Sequence, residues 1–134
     1  MHTRCLAILL LLYPAVPFTL AGQVPADLVE AVRARSQAVD KADVPAWERL
    51  TAPEFTNVTE TGRLLTRAER VAELKKAKPA ATPSTCAHEQ ITMFAKGNGA
   101  TRRCLDNGVW WIAIWTKSDS GWRVVAVQGT PAAK

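Results

Sequence analysis

His88 and Glu89 are adjacent in a stretch that reads as a β-strand, and they are the first residues to consider for acid/base chemistry. His88 is the only histidine beyond the N-terminal segment, and an imidazole titrates near neutral pH, where a general base is most effective. Glu89 is the acid that falls in a strand, whereas Asp27, Glu30, Glu48, Glu69 and Glu73 fall on helical stretches as caps or solvated faces, and Asp106 and Asp119 belong to turns. Neither candidate has a catalytic partner at a recognisable spacing. Metal chemistry needs three or more suitable ligands, and Cys86 with His88 supplies at most two on one strand face, so no metal and no other cofactor is expected. Trp47, Phe55, Trp111 and Trp115 could line a pocket for a flat apolar ligand, although core packing is the default role of such rings. Asn57 and Gln128 are polar residues in strands that should be partly buried, and buried polar groups must find partners, of which a ligand is one.

The element that must position these groups is Val109 to Gln128, VWWIAIWTKSDSGWRVVAVQ, which holds four of the five tryptophans. Its two Val-, Ile- and Trp-rich flanks around Ser118-Asp119-Ser120-Gly121 predict a β-hairpin. Both side-chain phases of the first flank are apolar: Val109, Trp111, Ala113 and Trp115 on one face, Trp110, Ile112 and Ile114 on the other. Such a strand needs a cover on each face. The chain's own helices supply one, and another sheet surface or subunit the other. In the second flank, Val124, Ala126 and Gln128 compete with Val125, Val127 and Gly129 for the inner face, and both phases are apolar enough to win.

Upstream, Pro25 to Ala42 predicts an amphipathic helix with Leu28, Val32, Arg35, Val39 and Ala42 at spacings of three and four. Asp43 caps a shorter helix carrying Trp47 and Leu50, stopped by Pro53. Glu54 to Leu65 reads as a short hairpin turning at Thr61-Gly62, and Thr66 with Glu69 forms a capping box that opens a helix to about Lys76. After a proline-containing loop, strands are expected near Ala87 to Ala95, Ala100 to Leu105, Val109 to Lys117 and Trp122 to Thr130, a four-stranded meander that needs no parallel crossover. Helices first and antiparallel strands last imply an α+β fold, three helices laid on one face of a strongly curved, mainly antiparallel sheet.

The N-terminus, MHTRCLAILLLLYPAVPFTLAGQV, has the basic start, apolar run and small residues of an export signal cleaved after Ala21. Pro14 and Pro17 and the short apolar run argue against a membrane anchor. Residues 22–134 are then one domain in a periplasm or outside the cell, without membrane attachment. The formal charge of +5 is spread over scattered arginines, among them Arg33, Arg35, Arg63, Arg67, Arg102 and Arg103, so no nucleic-acid partner is expected. Lys75, Lys76 and Lys78 suit the negative end of a helix dipole. Cys86 and Cys104 would share a compartment in which disulfides persist. A hairpin turning at Gly97-Asn98-Gly99, however, places Cys104 opposite about Ile91, some five residues or about 17 Å from Cys86. Bridged and unbridged states both stay open.

Two segments, AVRARSQAVDKADVPAWERLTAPEFTNVTETGRLLTRAERVAEL and WTKSDSGWRVVAVQGT, resemble the nuclear-transport-factor-2-like superfamily, which includes ketosteroid-isomerase-like and SnoaL-like proteins. Within it they are most similar to domain of unknown function 4440. The resemblance spans nearly the whole exported chain. It implies a cone, with a bent sheet wrapped about three helices around an apolar pocket, and a homodimer formed through the sheet's outer face. It does not imply one reaction, because one fold hosts many functions. Ketosteroid isomerase chemistry uses a tyrosine in its oxyanion hole. The only tyrosine here, Tyr13, lies in the leader, so that activity is not carried over. The expected function is binding of a small apolar or aromatic molecule. The alternatives are an isomerase or dehydratase using His88 or Glu89, and an interaction module using the outer sheet face.

Overall fold

A computed structural model describes residues 23–134, so the leader expected over 1–21 lies outside the described residues. Three helices and six strands follow one another: α1 (Ala26–Asp40), α2 (Val44–Arg49), β1 (Thr51–Val58), β2 (Leu64–Thr66), α3 (Arg67–Lys76), β3 (Ala87–Phe94), β4 (Gly99–Asp106), β5 (Val109–Ser118) and β6 (Gly121–Pro131). The strands form one sheet in the order β2-β1-β6-β5-β4-β3. The α+β architecture is the one expected. The topology carries one correction, because β1 pairs with β6 in parallel, whereas every other neighbouring pair is antiparallel. After the α3 excursion three reversals bring the last strand alongside β1 in the same direction, so the meander and the hairpin become one sheet.

Side-chain caps start α2 and α3. The Asp43 carboxylate accepts from the Ala46 amide at 3.0 Å and opens α2. The end of α2 is tied down twice: Thr51 Oγ1 donates to the Trp47 carbonyl at 2.6 Å, and the Val124 amide donates to the Leu50 carbonyl at 2.9 Å. Pro53, expected to stop α2, lies instead inside β1. It falls where the β1–β6 register is interrupted between Thr51 and Thr56, and a residue without an amide hydrogen is tolerated there.

The core lies between the helices and the concave face of the sheet. Leu28, Ala31, Val32 and Ala38 of α1 meet Trp47, Leu74, Ala100, Ala113, Trp115, Trp122 and Val124. The contest between phases in β6 is resolved by a bulge: Ile114 pairs with Ala126 but Trp115 pairs with Val124, leaving Val125 as the extra residue. Trp122 and Val124 therefore point inward before the bulge, and Val127 and Gly129, opposite Ala113 and Trp111, point inward after it. Ile112 and Ile114 face outward and are 45% and 37% exposed. Among the described residues no helix is long and apolar enough to cross a membrane.

The capping box of α3 is complete. Thr66 Oγ1 receives the Glu69 amide at 3.3 Å, while the Glu69 carboxylate receives the Thr66 amide at 2.7 Å. The Thr66 backbone and then its hydroxyl hold the Glu69 carboxyl below its ordinary value. A carboxyl lowered by folding stabilises above its unfolded value, and that contribution is lost as pH falls through the folded one. Thr66→Ala should cost about 1 kcal/mol in urea unfolding at pH 7, and a smaller difference from the parent protein at acidic pH is expected.

Candidate functional site

Between α1 and the concave sheet lies a cavity of about 260 Å³, with a floor of Trp47 and Phe55. These rings meet edge to face, 5.2 Å between centroids, and are 1% and 2% exposed, so both are core residues that also close the cavity's inner end. Val39 from α1, with Trp111, Ala113 and Val127 from the sheet, supplies apolar walls. Trp111 lies against the backbone of Gly129: a Cβ built there would stand 2.6 Å from the indole Cζ3, so glycine is what lets the ring take this position. Asn57 is almost fully buried, lines the cavity, and leaves its Oδ1 without a hydrogen-bond partner.

The polar side of the cavity is basic. Arg35 of α1, Arg70 of α3 and Arg102 of β4 all line it. Arg70 is paired with Glu73 at 3.0 Å and Arg102 with Glu89 at 2.6 Å. Arg35 has no ion pair among the described residues, and its Nε is buried without a hydrogen-bond partner. Its guanidinium carbon stands 5.3 Å from the centroid of Trp47 and 5.5 Å from that of Phe55, a cation laid on the aromatic floor. Burial, followed by the positive charges of Arg70 and Arg102, pulls this guanidinium well below its ordinary value, to about 9. It is still a cation at neutral pH, held where a cation is poorly solvated.

The third wall is the segment ahead of β3, which contributes Ser84, Thr85 and Cys86. It is tied to the end of α1, where the Ser84 amide donates to Asp40 Oδ2 at 3.0 Å and the Ser84 hydroxyl reaches the other carboxylate oxygen. It is also joined to β4 by a Cys86–Cys104 disulfide with Cα atoms 5.5 Å apart. The distance expected from the hairpin is corrected by its register. Ala95 and Lys96 take left-handed conformations and start the turn early, so Arg102, not Cys104, faces Ile91. A second irregularity between Ala87 and Gln90, with His88 at φ 51°, folds the start of β3 back over Cys104.

The expected site residues separate accordingly. Trp47, Phe55, Asn57 and Trp111 come together at the cavity. Trp115 is buried in the core beside it and does not line it. Gln128 is corrected outright: the Val125 bulge shifts its phase, and it faces outward opposite Ile112. His88 is exposed at the strand irregularity, its ring 6.3 Å from that of Trp110, and is not part of the cavity lining. Glu89 also lies outside the lining and serves as the counter-ion of Arg102. The arginines are what the sequence reading missed. Their positions are far apart in the chain, yet one signal was present, because Arg35 occupies a place in the apolar stripe of α1 between Val32 and Val39.

This geometry, three helices in the concavity of a bent six-stranded sheet with a cavity at its heart, is the nuclear-transport-factor-2-like (NTF2-like) fold. An NTF2-like protein from Cytophaga hutchinsonii superposes with a TM-score of 0.69 at 17% identity, covering 78% of this chain and 94% of that one. A putative dehydratase of the NTF2-like family from Streptomyces avermitilis gives a TM-score of 0.68 at 14% identity, over 81% and 95% of the two chains. A CaMKII hub from S. rosetta gives 0.68 at 20%, over 81% of this chain and all of that one, 100%. At these identities the likeness establishes the fold. No protein-family model matches the sequence, and no curated protein matches it.

The disulfide spans 18 residues of chain and holds the Ser84–Cys86 wall. By chain entropy a loop of that size is worth about 3 kcal/mol. Cys104→Ser should lower stability by a large part of that amount, and reduction with dithiothreitol should reproduce the loss in the parent protein and leave the variant unchanged.

Proposed function

We propose that this domain binds a small organic molecule in the cavity between α1 and the sheet. The observation that carries the reading is the composition of the cavity walls: Val39, Trp111, Ala113 and Val127 offer apolar surface, while Asn57 and the arginines offer polar contacts in the same cavity. Ligand pockets combine these features, an apolar lining with a few placed polar groups. The isomerase or dehydratase alternative would use His88 or Glu89, and neither side chain lines the cavity. Binding is therefore the preferred reading.

In keeping with the leader, we propose that the protein works after export, in a periplasm or outside the cell, as a chain beginning at Gly22. The half-exposed Ile112 and Ile114 on the outer sheet face favour self-association there, so a homodimer is the second part of the proposal. Native mass spectrometry of the exported protein reads both points: the expected mass is twice that of residues 22–134, and a monomer or a retained leader would count against the corresponding part.

Binding itself is tested by a thermal-shift screen of one- and two-ring aromatic compounds, charged and neutral, followed by titration of tryptophan fluorescence. A stabilising compound should lose at least about tenfold in affinity in Trp111→Ala, from the apolar surface removed, and should bind His88→Ala as it binds the parent. Failure of every compound to shift the melting temperature would remove the reading.

A further inference from the structure

Arg35 is the group that the fold leaves unexplained. Arg70 and Arg102 each have a carboxylate, from Glu73 and Glu89, but the charges acting on Arg35 are both positive and come from those same two arginines. Asp106, the one acidic side chain in the lining, makes no ion pair with it. The Trp47 and Phe55 rings beneath the guanidinium return part of the lost solvation and cannot neutralise the charge. A half-buried cation that lines a cavity, makes no ion pair among the described residues and has its Nε buried without a partner is a site built for an anion.

The remaining walls limit which anion. Trp111, Val127, Val39 and Ala113 are apolar and stand in the same cavity, so a bare inorganic ion would satisfy the guanidinium and leave that surface unused. The cavity volume, about 260 Å³, suits a small ligand. A planar guanidinium matches a planar carboxylate. We propose, resting on the binding function above, that the ligand class is a small monocarboxylate with a flat apolar body, its carboxylate at Arg35 and its body against Trp111 and Val127.

Matched probes test this on the protein as it exists. At saturating concentration 2-naphthoate should raise the melting temperature by at least about 5 °C, while 2-naphthamide, which keeps the body and loses the charge, and inorganic phosphate, which keeps a charge and loses the body, should raise it far less. Arg35→Met should weaken 2-naphthoate at least about tenfold, and the ligand-free variant should melt no lower than the parent, since a half-buried, unpaired cation has been replaced by an apolar chain. A merely structural arginine would instead lower that melting temperature. Equal stabilisation by acid and amide would overturn the anion assignment and leave cavity binding intact. Stabilisation by phosphate equal to that by 2-naphthoate would reduce the site to an adventitious ion only. Naphthoate binding that survives Arg35→Met would overturn the role of Arg35. No response to either naphthyl probe, alongside a screen in which some other neutral compound binds, would overturn the ligand class alone, whereas a screen with no binder at all removes the binding function too. The acid and amide comparison on the parent protein decides the class even if the variant does not fold.

Discussion

A sheet can enclose a cavity only if it bends, and here the bend is accompanied by one extra residue in its longest pairing. Val125 has no partner in β5, so β6 changes phase between Val124 and Val127. A bulge twists and bends the strand that contains it. Before it, Trp122 and Val124 join Trp115 in a packed core beneath α1; beyond it, Val127 and Gly129 turn to the same side opposite Ala113 and Trp111, where the cavity opens. Without the bulge, inward placement of Val124 would put Ala126 and Gln128 on the inner face as well. Gly129 would then point outward, and the Trp111 ring would lose the close approach that its missing side chain allows. The packed part of the cone and its hollow part are thus two ends of one ladder.

What could be read from the sequence follows from how local each determinant is. The Asp43 cap, the Thr66–Glu69 box and the β5–β6 turn are written within a few residues, and they stand where expected. The apolar stripe of α1 is a periodic signal, and it faces the core; the two-faced pattern of β5 left open which phase the helices cover, and the fold puts Ala113 and Trp115 under them. Register is different. Ala95 and Lys96, neither of them a favoured left-handed residue, start the β3–β4 turn early, and this moves Cys104 away from Ile91 and toward Cys86. The phase of Gln128 likewise depended on a bulge that a strand rich in valine does not announce. The parallel pairing of β1 with β6 is set by the closure of the whole sheet and by no motif in either strand.

The basic side of the cavity shows a second kind of illegibility. Arg35, Arg70 and Arg102 come from α1, α3 and β4, and in the chain each looks like one of many dispersed surface charges. Folding brings them to one space while leaving most other basic residues at the surface. Glu73 and Glu89 follow two of them, and the pairs act as local neutralisation at the rim. Glu89, which looked like a candidate acid, is better understood by this role: it fixes the direction of Arg102.

Arg35 is where packing and electrostatics pull in opposite directions. In the stripe formed by Leu28, Val32 and Val39, an aliphatic residue at position 35 would extend the core and bury no charge. A desolvated cation without a counter-ion costs several kcal/mol, and a favourable cation–π contact returns only about 2 kcal/mol. A sequence shaped by packing alone would not keep arginine there. Trp47 and Phe55 reduce the penalty, and the edge-to-face arrangement that locks them together also fixes the platform on which the guanidinium rests. Local rules of helix amphipathicity are broken at this one position, and natural proteins break such rules at sites that do something other than hold the fold. The arginine that interrupts the apolar face of α1 is therefore a mark, visible in the sequence once its surroundings are known, of the cavity between that helix and the sheet.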